Sequence, residues 1–175
     1  MSKLTLGNHV GTHIDAQTHF IEDGDSVTDI QLSKLIGNTF VIDLSYKKER
    51  EDIDIKDIRK FKSQIEKNRK VIIKTGWYKF NKENKYYSNF PKITADVAKW
   101  LVSKKIELLG VESPSLNIGD NSRIHSILLE NNVVIVESLA RLDSFRNEVI
   151  YFVCLPLRIE GLSGSPVRAI ALSKK

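Results

Sequence analysis

Residues 9–20 read His-Val-Gly-Thr-His-Ile-Asp-Ala-Gln-Thr-His-Phe and hold three of the chain's four histidines; the fourth is His125. Val10, Gly11, Thr12 and Ile14 are poor helix formers, so the segment is predicted to run extended. In an extended segment, residues an even number apart point to one side. His9, His13, Asp15 and His19 all sit at odd positions, so three imidazoles and a carboxylate are expected on one face. Gly11 shares that parity and leaves room for an ion or a substrate. Neutral imidazole with carboxylate is a zinc ligand set, and it also suits manganese and iron. An isolated histidine is ordinarily a surface or hydrogen-bonded residue. So dense a cluster of ligand types points instead to a metal site.

The rest of the composition narrows the class. A chain of 175 residues fits one domain with a substantial core, and 41% apolar content is ordinary for a globular protein. No apolar stretch approaches a membrane span, and Met1 to Gly7 lacks the pattern of a signal peptide. The single cysteine, Cys154, lies in the apolar run Val149 to Leu157 and reads as a buried thiol, not a nucleophile. The expectation is a cytoplasmic protein without membrane contact. The net charge is +5, with lysine concentrated between Lys47 and Lys74 and between Lys79 and Lys85. Glu49, Glu51, Asp52, Asp54 and Asp57 are interleaved with the first run, which reads as a solvated surface. Tyr78, Phe80, Tyr86 and Tyr87 among lysines imitate an aromatic-basic strip, but no recognition motif accompanies them, so nucleic acid is not an expected partner.

The pattern along the chain is mixed α/β, with strands alternating with helices in the middle and β-rich ends. Strands are expected at Leu4 to Leu6, Thr39 to Leu44, Val71 to Lys74, Ile106 to Val111, Val133 to Val136, Val149 to Leu157 and Val167 to Leu172. Helices are expected at Ile30 to Leu35, closed by Gly37, at Ile55 to Ile65, from an N-cap at Thr94 through Val102, and at Ser122 to Glu130 around His125. Thr75, Glu112 and Glu137 each follow an apolar run directly, and open α/β sheets collect their ligands at such strand ends. Glu137 is the first candidate to join the histidines, with Glu130 and Glu112 as competitors. Thr12, of opposite parity, reads as support for the loop. Trp77 stands either at a pocket edge or in the core.

These motifs resemble the cyclase family of metal-dependent hydrolases, which includes bacterial kynurenine formamidase and isatin hydrolase. The family signature is His-x-Gly-Thr-His-x-Asp-x-Pro-x-His-Phe. His9, Gly11, Thr12, His13, Asp15, His19 and Phe20 match it, while Gln17 replaces the proline. Thr75-Gly76-Trp77, Gly110-Val111-Glu112-Ser113-Pro114-Ser115 and Glu137-Ser138-Leu139 resemble later family segments, with Glu112-Ser113 a mild departure. The resemblance covers essentially the whole chain. It implies one domain, residues 1–175, of the swivelling β/β/α type with a mixed sheet. It implies His9, His13, Asp15, His125 and Glu137 as metal ligands, with Asp15 and Glu137 able to bridge two ions, and His19 as catalytic acid/base. It implies zinc as the divalent metal, manganese as the alternative, a small amide substrate such as an aryl formamide, a place in tryptophan catabolism, and a homo-oligomer.

The chemistry expected of such a site follows from its parts. A divalent ion lowers the pKa of bound water from about 15.7 to near 7. The hydroxide attacks the amide carbonyl, the ion steadies the oxyanion, and His19 carries the proton. Family members usually carry a further N-terminal segment before the first histidine. Only eight residues precede His9 here, so a shortened substrate pocket is expected. The competing expectation is a non-catalytic metal-binding or partner-binding scaffold.

Overall fold

The computed structural model describes residues 1–173. Its centre is an eight-stranded mixed sheet. In chain order the strands are β1 (His13–Asp15), β2 (Ile36–Asp43), β3 (Asp52–Ile53), β4 (Lys70–Lys74), β5 (Lys92–Ile93), β6 (Leu108–Val111), β7 (Val134–Glu137), β8 (Val149–Val153), β9 (Gly164–Pro166) and β10 (Ile170–Leu172). The large sheet has the order β10-β8-β2-β4-β6-β7-β1-β9, and β3 and β5 form a separate pair. Strands β2, β4, β6 and β7 run parallel, while β1, β8, β9 and β10 pair antiparallel. The helices are α1 (Leu32–Leu35), α2 (Ile55–Ile58), α3 (Lys62–Asn68), α4 (Ala95–Ser103) and α5 (Asn121–Glu130). The mixed α/β expectation holds.

Side-chain alternation assigns the two faces of the sheet. Phe40, Ile42, Val71, Ile73, Leu109, Val111 and Ile135 share one core with residues of α3, α4 and α5. Val41, Ile72, Leu108, Val134 and Val136 belong to a second core with Ile14, Ile150 and Phe152 on the other face. Both faces are buried, which explains why the central strands read as continuous apolar runs.

The sheet is curled. Strands β9 and β10 lie at its opposite edges, yet only Val167–Ala169 separates them in the chain. Four residue steps reach about 14 Å at full extension. Eight strands laid flat would place the edges about 34 Å apart. The two edges therefore approach each other, and the Val167 bridge to Pro156 lies within that closure.

Several local expectations need correction. Leu4 to Leu6 forms no strand and is exposed. Gly37 lies inside β2 and does not close α1. The predicted helix over Ile55 to Ile65 is divided into α2, a 3-10 turn at Arg59–Phe61, and α3. Asp57 accounts for its first turn: its carboxylate caps Asp54 N and pairs with the buried Lys47 Nζ at 2.9 Å. The predicted strand from Val167 to Leu172 is only β10 at its end. Its earlier part is the link between the sheet edges, preceded by the unpredicted β9. Thr94 caps α4 as expected, its hydroxyl accepting Val97 N.

Candidate metal centre

The His9 to His19 segment is not helical across Val10 to Ile14, but only His13–Asp15 is strand, and Gln17–His19 is a 3-10 turn. Parity therefore governs His13 and Asp15 alone. Ile14 turns into the second core, so its neighbours project from the opposite, helix-covered face. In the antiparallel register of β1 on β7, His13 lies opposite Glu137 and Asp15 opposite Ile135. Glu137 shares the parity of Ile135 and projects on the same side. Helix α5 covers that face and brings in His125 through its buried side, with Ile124, Leu128 and Leu129.

The result is a compact donor cluster. His9 Nδ1 is 2.8 Å from Asp15 Oδ1, and His13 Nε2 is 3.4 Å from the same oxygen. His13 Nε2 is 3.6 Å from Glu137 Oε2. His125 Nε2 is 3.0 Å from Glu137 Oε1 and 3.5 Å from Asp15 Oδ2. Two donor groups result, His9-His13-Asp15 and Asp15-His125-Glu137, each with its ligand atoms within 4.8 Å of one another. Asp15 is common to both.

The supporting shell fixes the rings. His13 Nδ1 meets Gly11 O at 2.8 Å, and His125 Nδ1 meets Asn121 O at 2.9 Å. Each backbone carbonyl takes the Nδ1 proton and leaves Nε2 toward the carboxylates, the tautomer a metal ligand needs. His9 turns Nε2 to Ser163 Oγ at 3.0 Å. Gly164 makes room for that ring, since a Cβ there would meet His9 Cε1 at 2.4 Å. Sequence reasoning missed Ser163 and Gly164; they lie far along the chain, and nothing in their local pattern marks them.

The electrostatics suit a cation. Burial works to raise the Asp15 carboxyl, but His125, His13 and His9 around it hold it well below the usual range. Burial pushes Glu137 upward, with the neighbouring Asp15 charge adding to the effect. Burial opposes charge on His125, yet its contacts with Asp15 and Glu137 raise it to about 9. His13 is raised in the same way, mainly through Asp15 against its own burial. Asp15 Oδ2 is buried with no hydrogen-bond partner. A carboxylate oxygen left in this way among imidazoles fits a divalent ion.

His19 stands apart from the donors. Its ring stacks on His9 with centroids 3.9 Å apart and meets Phe20 edge-on at 4.4 Å. Burial, followed by the surrounding imidazoles against the pull of Asp15, lowers it to about 4, so it is neutral at physiological pH.

The competitors for the ligand role lie elsewhere. Glu130 is exposed at the last turn of α5. Glu112 is buried, but its Oε2 accepts Thr75 N at 2.7 Å and Gly76 N. Trp77 is core: its Nε1 donates to Tyr86 O at 3.0 Å, and it packs with Tyr86 and Phe90. Cys154 is buried in the second core, where burial pushes its thiol up to about 12. Thr12 supports the loop as expected, donating from Oγ1 to Ser138 O at 2.7 Å. The interleaved acids pair with lysines, among them Lys85 with Glu49 and Lys92 with Asp52.

A cavity of about 460 Å³ is lined by His9 and His13 together with Tyr78, Tyr86 and Tyr87. Of the donors, His9 and His13 are thus reachable from a chamber sized for a small aromatic molecule.

Known proteins resemble the chain in sequence and in fold. The Cyclase family model ("Putative cyclase") matches residues 2–117. Kynurenine formamidase of Bacillus anthracis is 34% identical over 172 residues, covering 97% of this chain and 78% of the relative. A solved structure of a potential metal-dependent hydrolase with cyclase activity aligns with a TM-score of 0.84 at 26% identity, over 97% of this chain and 81% of the other. An isatin hydrolase bound to the product analogue thioisatinate aligns with a TM-score of 0.87 at 27% identity, over 98% and 74%.

Proposed function

The chain belongs to the cyclase family, and on that premise we propose that it is a metal-dependent hydrolase of a small amide, resembling kynurenine formamidase. Residues 1–175 form one catalytic domain in this reading. The observation that carries it is the shared Asp15: two groups of imidazole and carboxylate donors meet at its carboxylate, whose Oδ2 is buried with no hydrogen-bond partner among the described residues. His9, His13, Asp15, His125 and Glu137 would hold the metal. The donor set favours zinc, with manganese the alternative.

When bound, the cation acts as a Lewis acid on the carbonyl and acidifies a water toward neutral pH. The chain's own groups do the rest. His19, unligated and neutral, takes a proton from the attacking water on a ring nitrogen and returns it to the leaving nitrogen. One C–N bond breaks, one C–O bond forms, and the products are an amine and a carboxylate. The Nδ1 contacts of His13 and His125 prevent ring rotation during this exchange. The tyrosine wall holds the aromatic part of an aryl formamide against the cluster. A role in tryptophan catabolism, a cytoplasmic site and a homo-oligomeric assembly belong to the same reading. A scaffold without activity is not favoured, because the five donors converge and His19 stacks on one of them, His9.

The test is turnover of an aryl formamide such as N-formylkynurenine by protein reconstituted with zinc or manganese. Formate release that disappears on chelation and returns with metal is the expected result. Zinc- or manganese-loaded protein that hydrolyses no member of a panel of formamides, lactams and esters would sink the reading.

A further inference from the structure

A second chamber lies where the curled sheet closes on itself. It has a volume of about 410 Å³ and is bounded by the segment after β7, by the Val167–Ala169 link that joins the two sheet edges, and by the start of β10. It shares Thr12 and Ala140 with the tyrosine-walled cavity but contains none of the proposed metal ligands. Thr12 forms the partition. Its hydroxyl donates to Ser138 O on one side, and its carbonyl accepts Val167 N on the other at 2.9 Å.

The lining is chemically divided. Leu142 and Phe152 are buried at its base, and Phe145 is partly buried beside them. Among the described residues its charged groups are Arg141 and Arg168, and no carboxylate lines it. Among the described residues, neither guanidinium is within ion-pairing distance of an acid. The acid nearest Arg141 in the chain, Asp143, is already engaged by Lys79 Nζ at 2.8 Å and by the Tyr78 hydroxyl. Arg141 also adopts a left-handed backbone conformation, φ 60°, which non-glycine residues rarely occupy. Guanidinium groups match carboxylates in shape and charge, and an apolar base selects a ligand with an apolar body.

We propose that this chamber binds a small organic carboxylate, its apolar body against Phe145 and Phe152 and its carboxylate between Arg141 and Arg168. The site goes beyond the amide hydrolysis proposed above and does not depend on it.

The probe is 3-phenylpropionate, titrated calorimetrically into the full chain, with 3-phenylpropanamide as the uncharged control. Binding is expected for the acid, at least tenfold weaker for the amide, and at least tenfold weaker in the double variant Arg141→Gln/Arg168→Gln. Stripping metal with a chelator is expected to leave it unchanged. Both arginines are exposed and make no side-chain hydrogen bond among the described residues, so the double variant should melt with the parent. Absence of binding overturns the proposal. So does equal binding by the amide or by the double variant, and so does loss on chelation, which would move the acid to the metal centre. Competition by 3-phenylpropionate against amide turnover would identify the carboxylate as the substrate's own. A non-competitive effect would identify a separate ligand. Either pattern supports the site only where binding also survives chelation and is weakened in the double variant.

Discussion

Asp15 Oδ2 stands 3.5 Å from His125 Nε2, although one residue belongs to a three-residue edge-side strand and the other to a helix late in the chain. The opposite oxygen of the same carboxylate is 2.8 Å from His9 Nδ1. Asp15 therefore joins the two donor groups, while Glu137 belongs to only one. Asp15→Asn is expected to lower metal content more than Glu137→Gln. Elemental analysis of the two purified variants decides this; equal retention would mean that the carboxylates are not arranged around metal as the donor groups suggest.

The roles proposed for His19 and His13 differ, although both belong to one sequence motif. His13 faces two carboxylates, whereas His19 stacks on His9 and is kept neutral chiefly by burial. His19→Ala should cut turnover by about 10²–10⁴-fold, the range for loss of a general acid/base, while metal content stays near that of the parent. His13→Ala should lose both. Parallel metal and rate measurements on the two variants would show the division to be wrong if His19→Ala comes out metal-poor.

Much of this site was legible in the sequence, for a physical reason. Parity places His13 and Asp15 on one face wherever the chain is extended, and the β1–β7 register brings Glu137 opposite. The family motif supplied His125, whose position depends on how α5 packs. The limit of parity reasoning is His19, whose place is set by a 3-10 turn and not by a strand. Glu112 and Trp77 were ambiguous because a strand-end acid and a buried ring look alike whether they serve a site or the core. Tertiary partners decide: the Thr75 and Gly76 amides for Glu112, the Tyr86 carbonyl for Trp77. The curl of the sheet was hidden because β9 was not predicted and the link Val167–Ala169 was read as the start of β10.

Gly164 is where packing and site meet. An alanine Cβ there would lie 2.4 Å from His9 Cε1 and 2.7 Å from Ile14 O. The backbone contact cannot move freely, so the ring must. Gly164→Ala is expected to destabilise the fold by about 1–3 kcal/mol, the usual range for overpacking, and to weaken metal binding by displacing His9. Urea denaturation and a metal titration measure the two effects. A variant with parental metal affinity would show that His9 is dispensable as a ligand.

Glu112 gives a pH dependence that is separate from the metal centre. Its side chain is buried, Oε1 has no partner, and Oε2 accepts the amides of Thr75 and Gly76. Burial, aided by the Asp143 charge and only partly opposed by those amides, pushes the carboxyl from 4.5 up to about 7. Between these values the native state holds a proton that the unfolded chain has released. Stability from this group therefore falls as pH rises from 4.5 to about 7, and the penalty is complete above that window. At about 1.4 kcal/mol per pKa unit the full penalty is about 3 kcal/mol. Glu112→Gln keeps an oxygen for the two amides and carries no charge to bury. The variant should gain on the parent as pH rises, with the difference between the two about 3 kcal/mol larger at pH 8 than at pH 4. Comparing the two proteins at each pH cancels the titration of groups they share, including the histidines. A stability difference that is the same at both pH values would show that Glu112 is not buried as a titrating carboxyl.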